Sequence, residues 1–473
     1  MRMILEHFYD RFLAQGSYVL GCQQAAVGIV VDPNRNISTY LAAAQREGLR
    51  IAYVTETHIH ADFVSGARDL ARATGAQLLL SREGGEDWQY RFAASDGARL
   101  IRDGDTIDVG AARLRVRHTP GHTPEHVCFV VTDRAAANVP IGMFTGDFIF
   151  VGDVGRPDLL ERAANAHGTA ETLARALYRS IVAMRDLPDH LQLWPGHGAG
   201  SACGKALGAM PCTTLGYERL ANWAFGCDDE QSFVDQVLAG QSEPPRYFAQ
   251  MKAINRDGPP SAPRGDLPEL SLEALRYALT DGTPVIDVRS TAAFAAEHIP
   301  GTLNIPVGTS FATWAGSLLP YDRALVILAD DEERIAEGRR LLTAIGLDRV
   351  VARGGAALRA AWSASGGRLG TVARMAPAEF PEHGERLVMD VRGAVDWRAG
   401  HLPFARHFFL GDLETLVAEL PRDTPIAVMC EGGTRSAIAA SLLQARGFTN
   451  VANVAGGMRA CKAAGLPLDA ESI

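Results

Sequence analysis

The run His58-Ile59-His60-Ala61-Asp62-Phe63 places two imidazoles and a carboxylate at the spacing of the metal-binding pattern H-x-H-x-D-H. It ends on a phenyl ring where that pattern has a third imidazole. The run follows an apolar stretch ending at Tyr53-Val54-Thr55, and an H-x-H step at such a strand-to-loop turn lets imidazoles reach a metal ion. The following Asp-His pair of the full pattern would build a second metal position. Phe63 has no lone pair to donate, so one occupied metal position is expected. Three later turns present donors in the same manner: His118-Thr119-Pro120-Gly121-His122-Thr123-Pro124, Phe144-Thr145-Gly146-Asp147 and Trp194-Pro195-Gly196-His197-Gly198. Each closes an apolar stretch with Gly or Pro and carries His or Asp at its tip, as a sheet scaffold needs in order to converge ligands.

In this order, and together with Gly155-Arg156-Pro157-Asp158, these segments resemble the metallo-β-lactamase fold over roughly residues 1 to 240. Within that fold they are similar to the persulfide dioxygenase branch related to glyoxalase II. The resemblance implies an αββα sandwich and one Fe(II) per chain, held by His58, His122 and Asp147. It leaves His60, Asp62 and His197 around the metal rather than on it. Two imidazoles and one carboxylate on one face of a metal leave positions open for substrate and O2, the arrangement of non-haem Fe(II) oxygenases. Hydrolases of the same scaffold hold zinc and activate water instead. The chemistry implied is oxidation of a small thiol persulfide, of glutathione or coenzyme A type, by O2 to sulfite. A zinc thioester hydrolase of glyoxalase II type is the rival.

Length and composition set the frame. At 473 residues the chain exceeds the size at which a single hydrophobic core stops growing, so two to four domains are expected. A hydrophobic fraction of 47% with 21% charged residues suits a globular protein. The formal charge of -9 gives no reason to expect nucleic acid, which needs clustered Lys and Arg. No run of about 18 apolar residues suggests a membrane span. The first ten positions lack a leader pattern, so a cytoplasmic location is expected. Seven cysteines without framework spacing argue for free thiols in a reducing compartment. A homo-oligomer is also expected.

Pro244-Pro245, Gly258-Pro259-Pro260 and Pro263 interrupt regular patterning between about 240 and 268, which predicts a linker after a first domain over 1–245. Beyond it the sequence repeats. Pro284-Val285-Ile286-Asp287-Val288-Arg289 recurs as Leu387-Val388-Met389-Asp390-Val391-Arg392, and Glu297-His298-Ile299-Pro300-Gly301 recurs as Ala399-Gly400-His401-Leu402-Pro403. Two α/β domains with mainly parallel sheets, over 268–368 and 372–473, are predicted.

These repeats resemble rhodanese domains, through the Asp-Val-Arg strand, the His-Ile/Leu-Pro turn and the late glycine pairs Gly354-Gly355 and Gly456-Gly457. In the second copy an apolar strand runs into Cys430-Glu431-Gly432-Gly433-Thr434-Arg435-Ser436 and then a helix. A cysteine there faces backbone N–H groups and the positive helix end, which stabilise thiolate and persulfide anions. The resemblance makes Cys430 and Arg435 catalytic and the rest of the loop a persulfide cradle. Tyrosine-phosphatase-like loops put five residues between Cys and Arg; this loop has four, which favours sulfur over phosphate. The first copy has Ala329 in place of the cysteine, in an acidic loop Asp330-Asp331-Glu332-Glu333, and is predicted to be inactive.

Cys203, a few residues after His197 on a Gly-rich loop, is a candidate accessory thiol whose pKa Lys205 could lower. Joined to the dioxygenase, an active rhodanese would carry sulfur on Cys430 toward or away from the iron, with sulfite or thiosulfate as product. A non-enzymatic persulfide sensor or carrier is the rival from another class.

Overall fold

The strand Gln15–Cys22 is buried along all eight residues, as only a strand covered on both faces can be. The computed structural model, which describes residues 3–159, 161, 168–205, 207–382 and 386–470, shows what covers it. This is β2 of a six-stranded sheet in sequential order, with β1 Met3–Asp10, β3 Val27–Val31, β4 Arg50–Thr55, β5 Gln77–Ser81 and β6 Arg99–Ile101. A second six-stranded sheet holds β7 Thr106–Val109, β8 Ala112–His118, β9 Val127–Asp133, β10 Gly142–Gly146, β11 Gln192–Pro195 and β12 Thr213–Thr214, in the reverse spatial order.

Alternation along the strands sorts side chains between layers. Tyr18, Leu20, Ile29 and Val31 meet Val127, Phe129, Val131 and Phe144 between the sheets. Val19, Val30 and Val54 point the other way and pack on Tyr40 and Leu70, from the helices Ser38–Arg46 and Ala67–Thr74. On the opposite outer face Cys128, Val130 and Met143 pack on Leu177, Ile181 and Phe233, from the helices Thr169–Val182 and Glu230–Leu238. The result is the αββα sandwich implied by the resemblance.

Strand register brings the donor turns to one end of this sandwich. β3 and β4 are parallel with Val31 opposite Thr55, so Asp32 and Glu56 leave their strands side by side. β10 and β11 are parallel with Gly146 opposite Pro195, which sets Asp147 beside the His197 turn.

The segment expected to be a linker differs from that expectation. Phe248–Asp257 is a helix of the first unit, because the Pro clusters flank it and do not enter it. The division between the two compact units falls after Pro263, apart from a short piece over 343–346 assigned to the first.

The second unit contains two parallel sheets. One runs β14-β13-β15-β16 (β13 Val285–Asp287, β14 Leu303–Asn304, β15 Leu325–Leu328, β16 Val350–Gly354). The other runs β17-β21-β20-β18-β19 (β17 Ala373–Met375, β18 Leu387–Asp390, β19 Ala405–His407, β20 Ile426–Met429, β21 Val451–Val454). Read from β14 and from β19, the two orders coincide over four strands, with β17 added at the far edge of the second sheet, so the sequence repeat is a structural repeat. The Asp-Val-Arg residues do the same work in both copies: Arg289 binds Asp287 at 2.7 Å, and Arg392 binds Asp390 at 2.7 Å.

Candidate metal centre and sulfur-transfer loop

Thr57 fixes the first histidine of the site. Its backbone N–H and hydroxyl donate to the two oxygens of Asp32 at 2.7 and 2.9 Å, so the hydroxyl is left to accept from His58 Nδ1 at 3.0 Å. Asp32 itself has a left-handed φ of 51°, a conformation tolerated better by Asp than by most residues. His58 Nε2 is thereby freed to face inward. His122 is held in the same way, with Nδ1 donating to the Arg156 carbonyl at 3.0 Å. The two Nε2 atoms lie 3.9 and 3.5 Å from Asp147 Oδ2.

One donor atom each from His58, His122 and Asp147 lie within 4.8 Å of one another, all three residues buried. His58 Nε2 and both Asp147 carboxylate oxygens are buried without a hydrogen-bond partner among the described residues. Burial of orphaned acceptors is expensive. A cation among them removes that penalty, so the donor set fits a metal ion.

Protonation separates the histidines of the site. Burial and the neighbouring imidazoles push His58 well below its ordinary value, and burial lowers His122. Both are neutral, the form that ligates metals. Burial also opposes charge on His60 and His197, but nearby carboxylates outweigh it there. Asp32, with Glu56 and Asp62 behind it, raises His60 to about 9. Asp147 and Asp62 raise His197. Asp147 is lowered, since the histidines around it overcome its burial. His60 Nε2 is turned to Asp32 at 3.1 Å. His197 donates from Nδ1 to the Ala14 carbonyl at 2.9 Å, while Nε2 stands 3.3 Å from Asp62 and 3.5 Å from Asp147.

Phe63 is fully buried, with its ring 4.4 Å from that of His60. Cys203 is placed beside Asp62 and His197, one donor atom from each lying within 4.8 Å of the others. Lys205 does not activate it. The ammonium is directed at the Gln236 carbonyl and the Trp223 ring, and burial together with Asp147 and Asp62 pushes the Cys203 thiol well up. Cys22 is a buried core residue, as its apolar surroundings in the sequence imply.

Several positioning residues escape a reading of the sequence. His126 Nε2 accepts from the Asp147 backbone N–H at 3.2 Å and Nδ1 donates to Thr119 Oγ1 at 2.8 Å. Glu125 Oε1 accepts from the Ile59 N–H at 2.7 Å, tying the His122 turn to the His58 turn. Asn255, from the Pro-flanked helix, donates to the carbonyls of His60 and Phe63 at 2.8 and 2.7 Å. Thr57 and His126 sit next to recognisable donors and could have been suspected. Nothing local marks Asn255. Gly155 is demanded by space, since a Cβ there would lie 1.8 Å from the Asp147 carbonyl oxygen.

In the second unit Cys430 follows β20 and is buried. The Gly433 N–H points at its sulfur from 3.1 Å and Ser436 Oγ lies 3.4 Å away, at the start of the helix Thr434–Ala445. Arg435 binds Asp396 at 3.0 Å, and Glu431 lies 3.4 Å from Arg392. Glu431, Gly432 and Thr434 complete the turn. Gly457 packs against it so closely that a Cβ would meet the Cys430 carbonyl oxygen at 2.1 Å. In the first copy Ala329 ends the equivalent strand, so no thiol is present. Its acidic loop is not a bare negative surface, however: Asp330 pairs with Arg359 and lies 3.7 Å from Arg289, and Glu332 pairs with Arg353. The missing thiol distinguishes the copies.

The family model for the metallo-beta-lactamase superfamily matches residues 26–197, and that for the rhodanese-like domain matches 271–357 and 377–464. The mitochondrial persulfide dioxygenase ETHE1 of Bos taurus is 31% identical over 199 residues, 41% of this chain and 68% of that one. A hydroxyacylglutathione hydrolase of Polaromonas is 31% identical over 182 residues, 38% of this chain and 61% of that one. Among solved structures, a metallo-beta-lactamase from Staphylococcus aureus is 40% identical with a TM-score of 0.68, covering 75% of this chain and 99% of that one. Matched in sequence and in three-dimensional form alike, the chain belongs to the metallo-beta-lactamase superfamily and carries two rhodanese-like domains behind that fold.

Proposed function

We propose that the first unit oxidises a low-molecular-weight persulfide with O2 to sulfite and free thiol at a mononuclear Fe(II), and that the last domain carries sulfur as a persulfide on Cys430. The observation that carries this reading is the buried cluster of donor atoms on His58, His122 and Asp147, in which His58 Nε2 and both Asp147 oxygens lack a hydrogen-bond partner among the described residues. Two neutral imidazoles and one carboxylate are the protein ligands of facial-triad iron oxygenases. The similarity to a persulfide dioxygenase and the attached rhodanese-like domains support sulfur metabolism. Among the described residues no helix is long and apolar enough to cross a membrane.

The net reaction takes one persulfide, one O2 and one water to one thiol and one sulfurous acid. Sulfur is oxidised and O2 is reduced. Fe(II), when bound, supplies the redox chemistry that lets O2 react with the terminal sulfur. Thr57 and the Arg156 carbonyl hold His58 and His122 in the tautomer with Nε2 free. His197 Nε2 stands between Asp62 and Asp147, whose charges favour a proton on this imidazole. In the rhodanese step the Cys430 thiolate attacks the outer sulfur of thiosulfate, the S–S bond breaks and sulfite leaves. Run in reverse, sulfite attacks the Cys430 persulfide and leaves as thiosulfate. The Gly433 N–H stabilises the anionic sulfur in either direction.

A second reading has one specific observation in its favour. Asp62, His197 and Cys203 form another buried donor group, and a two-metal centre would suit thioester hydrolysis of the kind named in the Polaromonas relative. Metal analysis combined with substrate assays separates the two. One iron per chain with oxygen uptake on a small persulfide supports the dioxygenase. Two zinc ions with hydrolysis of a glutathione thioester and no oxygen uptake supports the hydrolase.

A further inference from the structure

Next to the donor cluster the first unit has a cavity of about 400 Å³, within the usual size range of small-molecule sites. His197 forms part of its wall and also faces Asp147 at 3.5 Å, so the cavity adjoins the candidate metal centre. The rest of the wall includes His7 and Tyr9 from β1, Pro195 from the end of β11, and Met210 and Pro211 from the following loop. Among the described residues that line it there is no Lys, Arg, Asp or Glu.

His7 is stacked on Tyr18 at 4.7 Å, and its burial pushes the imidazole below the ordinary value, so it adds no positive charge at neutral pH. Tyr9 and Met210 leave 47% and 51% of their surface exposed at the mouth. Gly198 borders the cavity without a side chain. Its backbone does not have a positive φ, yet a Cβ there would lie 2.9 Å from the Tyr9 hydroxyl. A side chain at this position would take up room beside the Tyr9 ring, which is exposed and can shift.

We infer that this cavity seats the non-reacting arm of the persulfide, and that the arm it accepts is an uncharged chain of alkyl and amide groups of pantetheine type rather than glutathione. The inference rests on the persulfide dioxygenase reading. An apolar wall with a few neutral polar atoms suits such a chain: methylenes cover Met210, Pro195 and Pro211, while amides reach the Tyr9 hydroxyl and backbone groups. Glutathione carries two carboxylates and an ammonium. Placed here, its carboxylates would lose water and meet no cation that is not already paired, since His197 stands between Asp62 and Asp147, a penalty that an amide chain does not incur.

The test uses the full-length, iron-loaded protein and two unreactive thioethers, S-methyl pantetheine and S-methyl glutathione, titrated calorimetrically. S-methyl pantetheine is expected to bind at least about tenfold more tightly. Gly198→Val should weaken it by a similar factor, and the exposed substitution Met210→Lys should shift the ratio about tenfold toward glutathione. Equal binding of the two thioethers, or a ratio that Met210→Lys leaves unchanged, would overturn the inference. S-methyl coenzyme A has the same arm with a nucleotide beyond it. Binding as tight as S-methyl pantetheine points to coenzyme A as the source, and weaker binding points to the free arm. Oxygen uptake on the corresponding persulfides separates this inference from the reading beneath it. Uptake without preference between the two arms contradicts the cavity assignment alone. No uptake on any persulfide, with iron bound, contradicts the dioxygenase and the inference with it.

Discussion

The ring of Phe63 packs 4.4 Å from the ring of His60 and occupies buried space where the metal-binding pattern has another imidazole. His60 in turn is directed at Asp32 and not at His58 and His122. A residue that cannot donate, at the place where the pattern builds its second position, favours one metal position over two. Purified protein is therefore expected to hold about one metal per chain, and Phe63→His to raise that number toward two. Elemental analysis reads both. Two metals in the parent protein would mean that the Asp62, His197 and Cys203 group is occupied as well.

Thr57 acts on the metal through His58. Thr57→Val keeps shape and volume but removes the oxygen that accepts from Nδ1 and donates to Asp32. Metal affinity is expected to fall about 10- to 100-fold, with the fold intact by circular dichroism. An unchanged affinity in a competition titration against a chelator would show that the tautomer of His58 is set by something else.

Glu125 makes stability depend on pH. It is buried, and its carboxyl is raised from 4.5 to about 7, first by desolvation and against the opposing Ile59 N–H. The folded state therefore binds the proton more tightly than the unfolded state. That stabilisation is complete below about pH 4.5, is lost as pH rises toward 7, and amounts to about 3 kcal/mol. Glu125→Gln keeps an acceptor for Ile59 and cannot ionise. Its first calorimetric transition should lose less stability between pH 5 and pH 8 than that of the parent; parallel losses would refute this role.

Cys430 lies on its own loop in a different domain from the metal donors. Cys430→Ser is expected to abolish sulfur transfer between thiosulfate and a thiol, because a hydroxyl is not a sulfur carrier at neutral pH. Iron content and oxygen uptake on a preformed persulfide should persist. If the parent enzyme passes sulfur to sulfite, the variant releases sulfite where the parent releases thiosulfate. Loss of oxygen uptake with iron still bound would mean that the two sites are obligatorily coupled.

The donors that end strands are legible in the sequence because Gly, Pro and His cluster where apolar runs stop. The repeat is legible because Asp287-Val288-Arg289 and Asp390-Val391-Arg392 perform one structural task twice. What the sequence hides is the set of contacts that depend on register. Asp32 becomes a partner of Thr57 and His60 only because β3 and β4 end level. Asn255 reaches the His60 and Phe63 carbonyls across 195 and 192 residues of chain, from a helix that its flanking prolines disguise as a linker. Asp330 and Glu332 of the first copy read as unpaired charges, since the arginines that pair with them are distant in sequence.

The most direct test of the dioxygenase is the stoichiometry of oxygen consumed to sulfite formed, measured with iron-loaded Cys430→Ser and a chemically defined persulfide. This variant removes the sulfurtransferase step that would otherwise consume sulfite. One O2 taken up per sulfite released, abolished together with iron binding by His58→Ala, His122→Ala or Asp147→Ala, is the expected result. Sulfite absent while persulfide is consumed, or oxygen uptake that survives loss of all three donors, would contradict the account.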